Sequence, residues 1–264
     1  MASTTVELQS ITVRHDDDIA EITLRRPERL NALDQAMWDE LRDQFREIAA
    51  RSDVRVVVIT GAEGNFCAGA DLSARDDEER PHQLAAMRAV NEVCLALHRL
   101  PQPTIAKVRG VAVGAGLNLA LMCDLVVVDE TARFSEIFAR RGLSLDFGGS
   151  WILPRRIGLH RAKELALFAD IIDAERADQI GLVNRVVAAD ELDAFVADWA
   201  ERLAAGPPIA MAMSKKLLDQ SFDSTLEEAL AAEGLSQTVN FSTEDTAEAI
   251  RAFLDKRDPK FVGR

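Results

Sequence analysis

An α/β fold with a helical C-terminal end is predicted by the order of the apolar patterns. Val54–Thr60 and Leu125–Asp129 are continuous apolar runs, as expected of strands buried on both faces of a parallel sheet. Between them strand, loop and helix alternate, which implies right-handed βαβ crossovers. From His160 onward the periodicity turns helical, with a break at Ala205-Gly206-Pro207-Pro208. The chain therefore divides into a βαβ core over 1–200 and a helical region over 201–264. A helical end that cannot build its own core packs on a neighbour, so oligomerisation is expected.

Each element has its own signal. Val6–Val13 and Ile19–Leu24 are β-rich runs around His15-Asp16-Asp17-Asp18, which reads as a hairpin with a polar turn. Leu33, Met37, Trp38, Leu41, Phe45, Ile48 and Ala49 follow helical spacing, with Asp34 placed to cap. The segment from Gly61 to about Arg80 is too long for a plain connection. Its Glu63 and Asp76-Asp77-Glu78-Glu79 read as a solvated loop. Helix is predicted over Pro81–Leu100, strand over Thr104–Val108, a glycine-punctuated turn over Gly110–Gly116 and a short buried helix over Leu117–Met122. Further helices are predicted near 160–169, 175–181, 190–205, 208–220, 225–240 and 244–255, with one strand at Val183–Val187.

Composition narrows the functions. The formal charge of −13 weighs against nucleic-acid and anionic-membrane binding. The most apolar stretch, Gly110–Cys123, holds three glycines and Asn118, and it stops at Asp124, too short to span a bilayer. The opening residues Met1–Thr5 have neither a basic region nor an apolar core, so no signal peptide is expected. Cys67, Cys94 and Cys123 show no metal spacing, and nothing basic stands near Cys67 to activate it. His15, His82, His98 and His160 suggest neither a triad nor a metal site. A cytoplasmic enzyme or binding protein is expected.

Two small-residue turns stand out. Gly110-Val111-Ala112-Val113-Gly114-Ala115-Gly116 lies between a strand and a helix. It is a poor dinucleotide loop, because the third glycine of G-x-G-x-x-G would fall at Leu119. Phe66-Cys67-Ala68-Gly69-Ala70-Asp71-Leu72 follows the Val54–Thr60 strand. Two such turns after neighbouring parallel strands place two backbone N–H groups at the carboxyl edge of one sheet, where ligands of α/β sheets bind. Converging N–H donors are what an oxyanion hole requires, and a thioester oxygen is a fitting guest.

These segments resemble the crotonase (enoyl-CoA hydratase/isomerase) family. The second turn is similar to the family's F-x-A-G-A-D-L element. Lys107–Gly116 with Leu117–Asp124 is similar to another, and Arg26-Pro27-Glu28-Arg29-Leu30-Asn31-Ala32-Leu33 to its R-P-x-x-x-N-A-L entry. Gly148-Gly149-Ser150-Trp151, Leu153-Pro154 and Ala177–Val183 extend the resemblance in order along the whole chain. It implies a spiral of ββα and βαβ units with a helical trimerisation region, and a homotrimer or dimer of trimers. It also implies an acyl-CoA substrate, with no separate cofactor and no metal. The oxyanion donors would be the amides of Ala70 and Ala115. Coenzyme A would lie along Arg29, Leu30, Ala68, Asp71 and Leu72, with Arg29 near phosphate. Phe253 and Lys256 would reach the coenzyme or acyl tail from a neighbouring subunit. The plainer reading of Arg29 and Lys256 is solvated surface charge.

The carboxylates separate the reactions. Family hydratases place one glutamate three residues after the second oxyanion alanine, where this chain has Asn118. The other falls between a phenylalanine and a glycine, framed here by Phe134 and Gly142, and the residue is Phe138. Glu136 lies two residues earlier and serves only if the loop shifts. Asp146 instead sits among Leu143, Leu145 and Phe147, before Gly148-Gly149. An acid in apolar surroundings should have a raised pKa, which suits proton transfer. The 1,2-epoxyphenylacetyl-CoA isomerases, the dienoyl-CoA isomerases and certain Δ3,Δ2 isomerases resemble this chain in carrying an aspartate there. The competing role for Asp146 is a cap for a helix starting near Gly149. The expected activity is therefore enoyl-CoA isomerisation with Asp146 as the single acid/base. Hydration of a 2-enoyl-CoA and non-catalytic acyl-CoA binding are the alternatives.

Overall fold

The computed structural model describes residues 3–73 and 82–264. The acidic run Asp76–Glu79 lies outside the described residues. Ten strands are formed among them: β1 (Thr4–Glu7), β2 (Ile11–Asp16), β3 (Ile19–Leu24), β4 (Val56–Gly61), β5 (Thr104–Val108), β6 (Val111–Val113), β7 (Leu125–Asp129), β8 (Arg133–Ser135), β9 (Ile172–Asp173) and β10 (Arg185–Val187). The helices are α1 (Gln35–Ala49), α2 (Gln83–His98), α3 (Ala115–Leu121), α4 (Gly149–Ile157), α5 (Leu159–Phe168), α6 (Ala174–Gln179), α7 (Leu192–Ala204), α8 (Pro208–Gln220), α9 (Leu226–Phe241) and α10 (Glu244–Asp255).

The main sheet has the order β1-β2-β3-β4-β5-β7-β10, antiparallel from β1 to β3 and parallel from β3 to β10. A second sheet, β6-β8-β9, stands beside it. The continuous apolar runs are explained by burial on both faces. Val57 and Ile59 of β4, Ala106 and Val108 of β5, and Val126 and Val128 of β7 join the large core with α1 to α4. The alternate residues Val56, Val58, Ile105 and Val127 pack under Leu192, Val196, Ala200 and Ala204 of α7. At ~1.5–3 kcal/mol for each fully buried aliphatic side chain, neither face of β4 tolerates a polar residue cheaply. The boundary placed at residue 200 falls inside α7, which belongs to the sheet's packing. The helices that leave the sheet begin at Pro208.

Asp34 caps α1 by accepting from the Met37 amide at 2.8 Å, and Met37, Trp38, Leu41, Phe45 and Ile48 form its buried stripe. The single strand expected over Val6–Val13 is two strands. The chain breaks at Leu8-Gln9-Ser10, where the amides of Gln9, Ser10 and Ile11 all donate to the Glu40 carboxylate at 2.8–3.1 Å. A long-range carboxylate satisfying three backbone donors outweighs local β propensity. The turn read over Gly110–Gly116 contains β6, and α3 starts at Ala115, two residues earlier than its apolar pattern suggests.

α8 and α9 bury no residue fully within the chain. α8 is pinned by Lys215, which donates to Asp124 at 2.7 Å and to the Gln102 carbonyl at 3.2 Å. No helix among the described residues is long and apolar enough to cross a membrane.

Candidate active site

The two small-residue turns are joined by backbone. The Cys67 amide donates to the Val111 carbonyl at 2.8 Å, and the Val113 amide donates to the Cys67 carbonyl at 3.0 Å. This seam runs between the 66–72 turn and β6, and the approach is close. A methyl carbon on Gly69 would stand 2.8 Å from the Val113 oxygen and 3.6 Å from the Ala115 nitrogen. One on Gly116 would stand 2.4 Å from the Cys67 oxygen, so both positions demand glycine.

The same seam aims the two alanine amides. Leu33 pairs with the 66–72 turn through the Gly69 carbonyl and the Asp71 amide, at 2.8 and 2.9 Å. In a strand-like pairing successive amides point to opposite sides, so the Ala70 N–H faces away from Leu33. Ala115 opens α3, and Gly114 before it adopts φ 55°. The first amides of a helix have no partner inside it, and their positive end favours a developing negative oxygen. Among the described residues neither amide donates to a protein acceptor. The buried Cys67 thiol between the turns is pushed up to about 12 by desolvation and is inert.

Arg29, Leu30, Ala68, Asp71 and Leu72 come together beside this seam. The Ala68 amide donates to the Leu30 carbonyl at 3.0 Å, and Leu30, at φ 50°, and Leu72 expose their side chains. Asn31 fixes the entry loop. It is fully buried, accepts from the Arg26 amide, and donates to the carbonyls of Ala62 and Asn65 at 2.9 and 2.7 Å. Asp71 is held differently from the expectation. Its carboxylate accepts from the amide and hydroxyl of Ser73 and from Arg26, which keeps it down at about 2. Its side chain clamps the turn. Arg29 is exposed. Phe253 and Lys256 are exposed on α10 and at its C-cap, and among the described residues of the single chain no hydrogen bond joins them to the two turns.

The carboxyl groups sit across α3. Asp146 does not cap α4; the N-cap is Gly148, with no side-chain bond. Phe147 and Gly148 both turn left-handed, at φ 45° and 78°. A bulky residue there costs roughly 1–2 kcal/mol. Full burial of the Phe147 ring, stacked on Trp38 at 5.4 Å, offsets that cost and fixes the turn. The Asp146 carboxyl is left with a buried, unpartnered Oδ1, and desolvation pushes its pKa up to about 6.

Glu136 needs no loop shift to join this group. It follows β8, whose Ser135 carbonyl accepts from the Gly114 amide at 2.8 Å, and its side chain is fully buried. Asn118 lies between the acids. Its Nδ2 donates to Glu136 Oε2 at 3.4 Å and to the Asp146 carbonyl at 3.0 Å. Desolvation, added to by the Asp146 charge and opposed by the Asn118 bond, raises Glu136 to about 8. The β8 strand that positions Glu136 is three residues long and left no periodic signal. A glutamate between Ser135 and the apolar pair Ile137-Phe138 was the available clue.

The Enoyl-CoA hydratase/isomerase family model matches residues 14–264. The chain belongs to this family. Enzymes of the crotonase family act on acyl-CoA thioesters as hydratases and isomerases, and the sheet order with its second small sheet is the crotonase fold. Among curated relatives, a Rhodobacter capsulatus protein named "Probable enoyl-CoA hydratase" is 38% identical, covering 96% of this chain and 98% of its own. The 1,2-epoxyphenylacetyl-CoA isomerase of Escherichia coli is 35% identical over 93% of this chain and 95% of its own. The crystal structure of an enoyl-CoA hydratase from Bacillus anthracis superposes with a TM-score of 0.93 at 32% identity, covering 97% of this chain and all (100%) of that one.

Proposed function

We propose that this crotonase is an enoyl-CoA isomerase that shifts a double bond through a thioester enolate, with Asp146 as its acid/base. The observation that carries this reading is the unpartnered Oδ1 of Asp146, on a loop held to α3 through Asn118, while Asn118 and Phe138 fill the positions of the hydratase glutamates. In a 3-enoyl thioester the Asp146 carboxylate takes a proton from C2. The C–H electron pair moves toward the thioester oxygen, where the Ala70 and Ala115 amides stabilise the charge. Asp146 then returns the proton at C4, and the double bond moves from C3 to C2. Coenzyme A lies along Arg29, Leu30, Ala68 and Leu72, with Arg29 at a phosphate. The thioester is the substrate, and the step uses no separate cofactor.

Hydration is the second reading, favoured by the name of the R. capsulatus relative. Turnover of 2-enoyl and 3-enoyl thioesters followed by mass spectrometry and NMR decides between them. An isomer of unchanged mass is expected; a product heavier by one water would overturn isomerisation.

Assembly belongs to the same proposal. Leu218, Phe222, Leu226, Leu230 and Leu235 on α8, α9 and the turn between them are each more than half exposed in the single chain. So much apolar surface marks an interface. A trimer or dimer of trimers is expected, with light scattering reporting a multiple of three 29.0 kDa chains. A 29.0 kDa monomer at micromolar concentration would contradict it.

A further inference from the structure

Three acceptor atoms around α3 are buried without a partner: Glu136 Oε1, Asn118 Oδ1 and Asp146 Oδ1. They belong to residues already linked, since Asn118 donates to both acids' segments. Buried oxygens left without donors are costly to the fold. A proton on Glu136 turns one of these unmatched acceptors into a donor. It also removes a second negative charge from a site that must build up charge on an enolate.

We propose that Glu136 is a positioning residue that works as a neutral acid, holding the Asp146 loop through Asn118 and leaving Asp146 the one anion in the site. This deepens the isomerase reading and rests on its assignment of Asp146. The geometry supports it from both sides. Glu136 is fully buried, its one partner is a neutral amide, and no cation touches its carboxyl among the described residues. The groups that act on the pair are few. Burial, Asn118 and the Asp146 charge act on Glu136, and burial acts on Asp146. Cys94 of α2 lies near Asp146, and its thiol, at about 11, stays neutral through the range that matters.

The sign follows. Asp146 works ionised, so the rate rises with pH through about 6. Glu136 works protonated, so the rate falls again above about 8. The two limbs belong to the coupled pair and not strictly to single residues. Removing the group altogether, in Glu136→Ala, is expected to lower kcat about tenfold or more with little change in KM, because Asn118 loses one of the two partners that fix it.

The test is the pH profile of isomerisation in the wild type and in Glu136→Gln, together with a carboxyl 13C NMR titration of the ligand-free protein labelled at glutamate. Glutamine is neutral at every pH and still accepts from Asn118. The variant is expected to keep the acid limb and to lose the alkaline one, which falls about tenfold per pH unit in the wild type. The labelled protein should show a resonance titrating near 8, absent from Glu136→Gln and moved downward in Asp146→Asn. An alkaline limb that survives in Glu136→Gln, or a Glu136 resonance titrating in the ordinary glutamate range, overturns the proposal. The NMR arm needs no substrate. If the chain proves not to be an isomerase, Glu136 is still judged by its own midpoint.

Discussion

Asp146→Asn is expected to lower kcat on a 3-enoyl thioester by ~10²–10⁴, the usual loss of a general base, with little change in coenzyme A affinity. Solvent deuterium exchange at the same carbons should fall in parallel. The substitution keeps the size of the side chain. The contacts that place the loop are made by the Asp146 carbonyl, which accepts from Asn118 and from the Gly149 amide, and these survive. The stability change has the opposite sign. A carboxyl raised from 3.8 to about 6 by burial costs the fold free energy once it ionises. That cost grows as pH rises between the two values and is fully present at neutral pH. Removing the charge should therefore stabilise the protein by about 1–2 kcal/mol once solvent screening is allowed for, seen as a higher Tm at pH 7. A variant that is inactive and also less stable would identify Asp146 as a structural residue. One with normal rate and exchange would end the one-base mechanism.

Ala115→Pro should cost ~10²–10³ in kcat, because it deletes one N–H donor to the developing oxyanion. The position makes the experiment clean. Ala115 is the first residue of α3, where proline is tolerated in a helix, and Gly114 before it has no side chain to clash. Ala70→Pro should give a loss of similar size, with more disturbance of the turn, since its neighbours Gly69 and Asp71 both bond Leu33. Circular dichroism establishes folding in each case. A folded Ala115→Pro enzyme with undiminished turnover would remove that amide from the site.

The elements legible in the sequence are those with long, one-signal patterns. β3, β5 and β7 lie where their apolar runs place them, and α1 begins at the cap that Asp34 announces. The elements that were missed are short and held by distant partners. β6, β8 and β9 have two or three residues each and exist because they pair with one another. The break between β1 and β2 depends on Glu40, some thirty residues away in α1. The site divides the same way. The small-residue turns announce two unpartnered amides, but only the folded chain shows that Asp71 is engaged by Arg26 and Ser73, or that Glu136 stands beside Asn118. A buried carboxyl's environment is a property of tertiary packing, and two residues of misalignment in a loop are enough to hide it.

The seam between Cys67 and β6 has a consequence for how such a site can change. It is made of main-chain groups, which every residue type but proline carries alike, so substitution there disturbs the two alanine amides only where a side chain replaces glycine or proline removes an N–H. The carboxyl cluster is the reverse: each member is a side chain, and one nucleotide change can remove it or install it elsewhere. Mutational drift thus falls on the part of the site proposed to move protons and spares the part proposed to hold the enolate. A scaffold divided in this way can exchange one thioester reaction for another by relocating a single acid, while the most demanding intermediate remains provided for throughout.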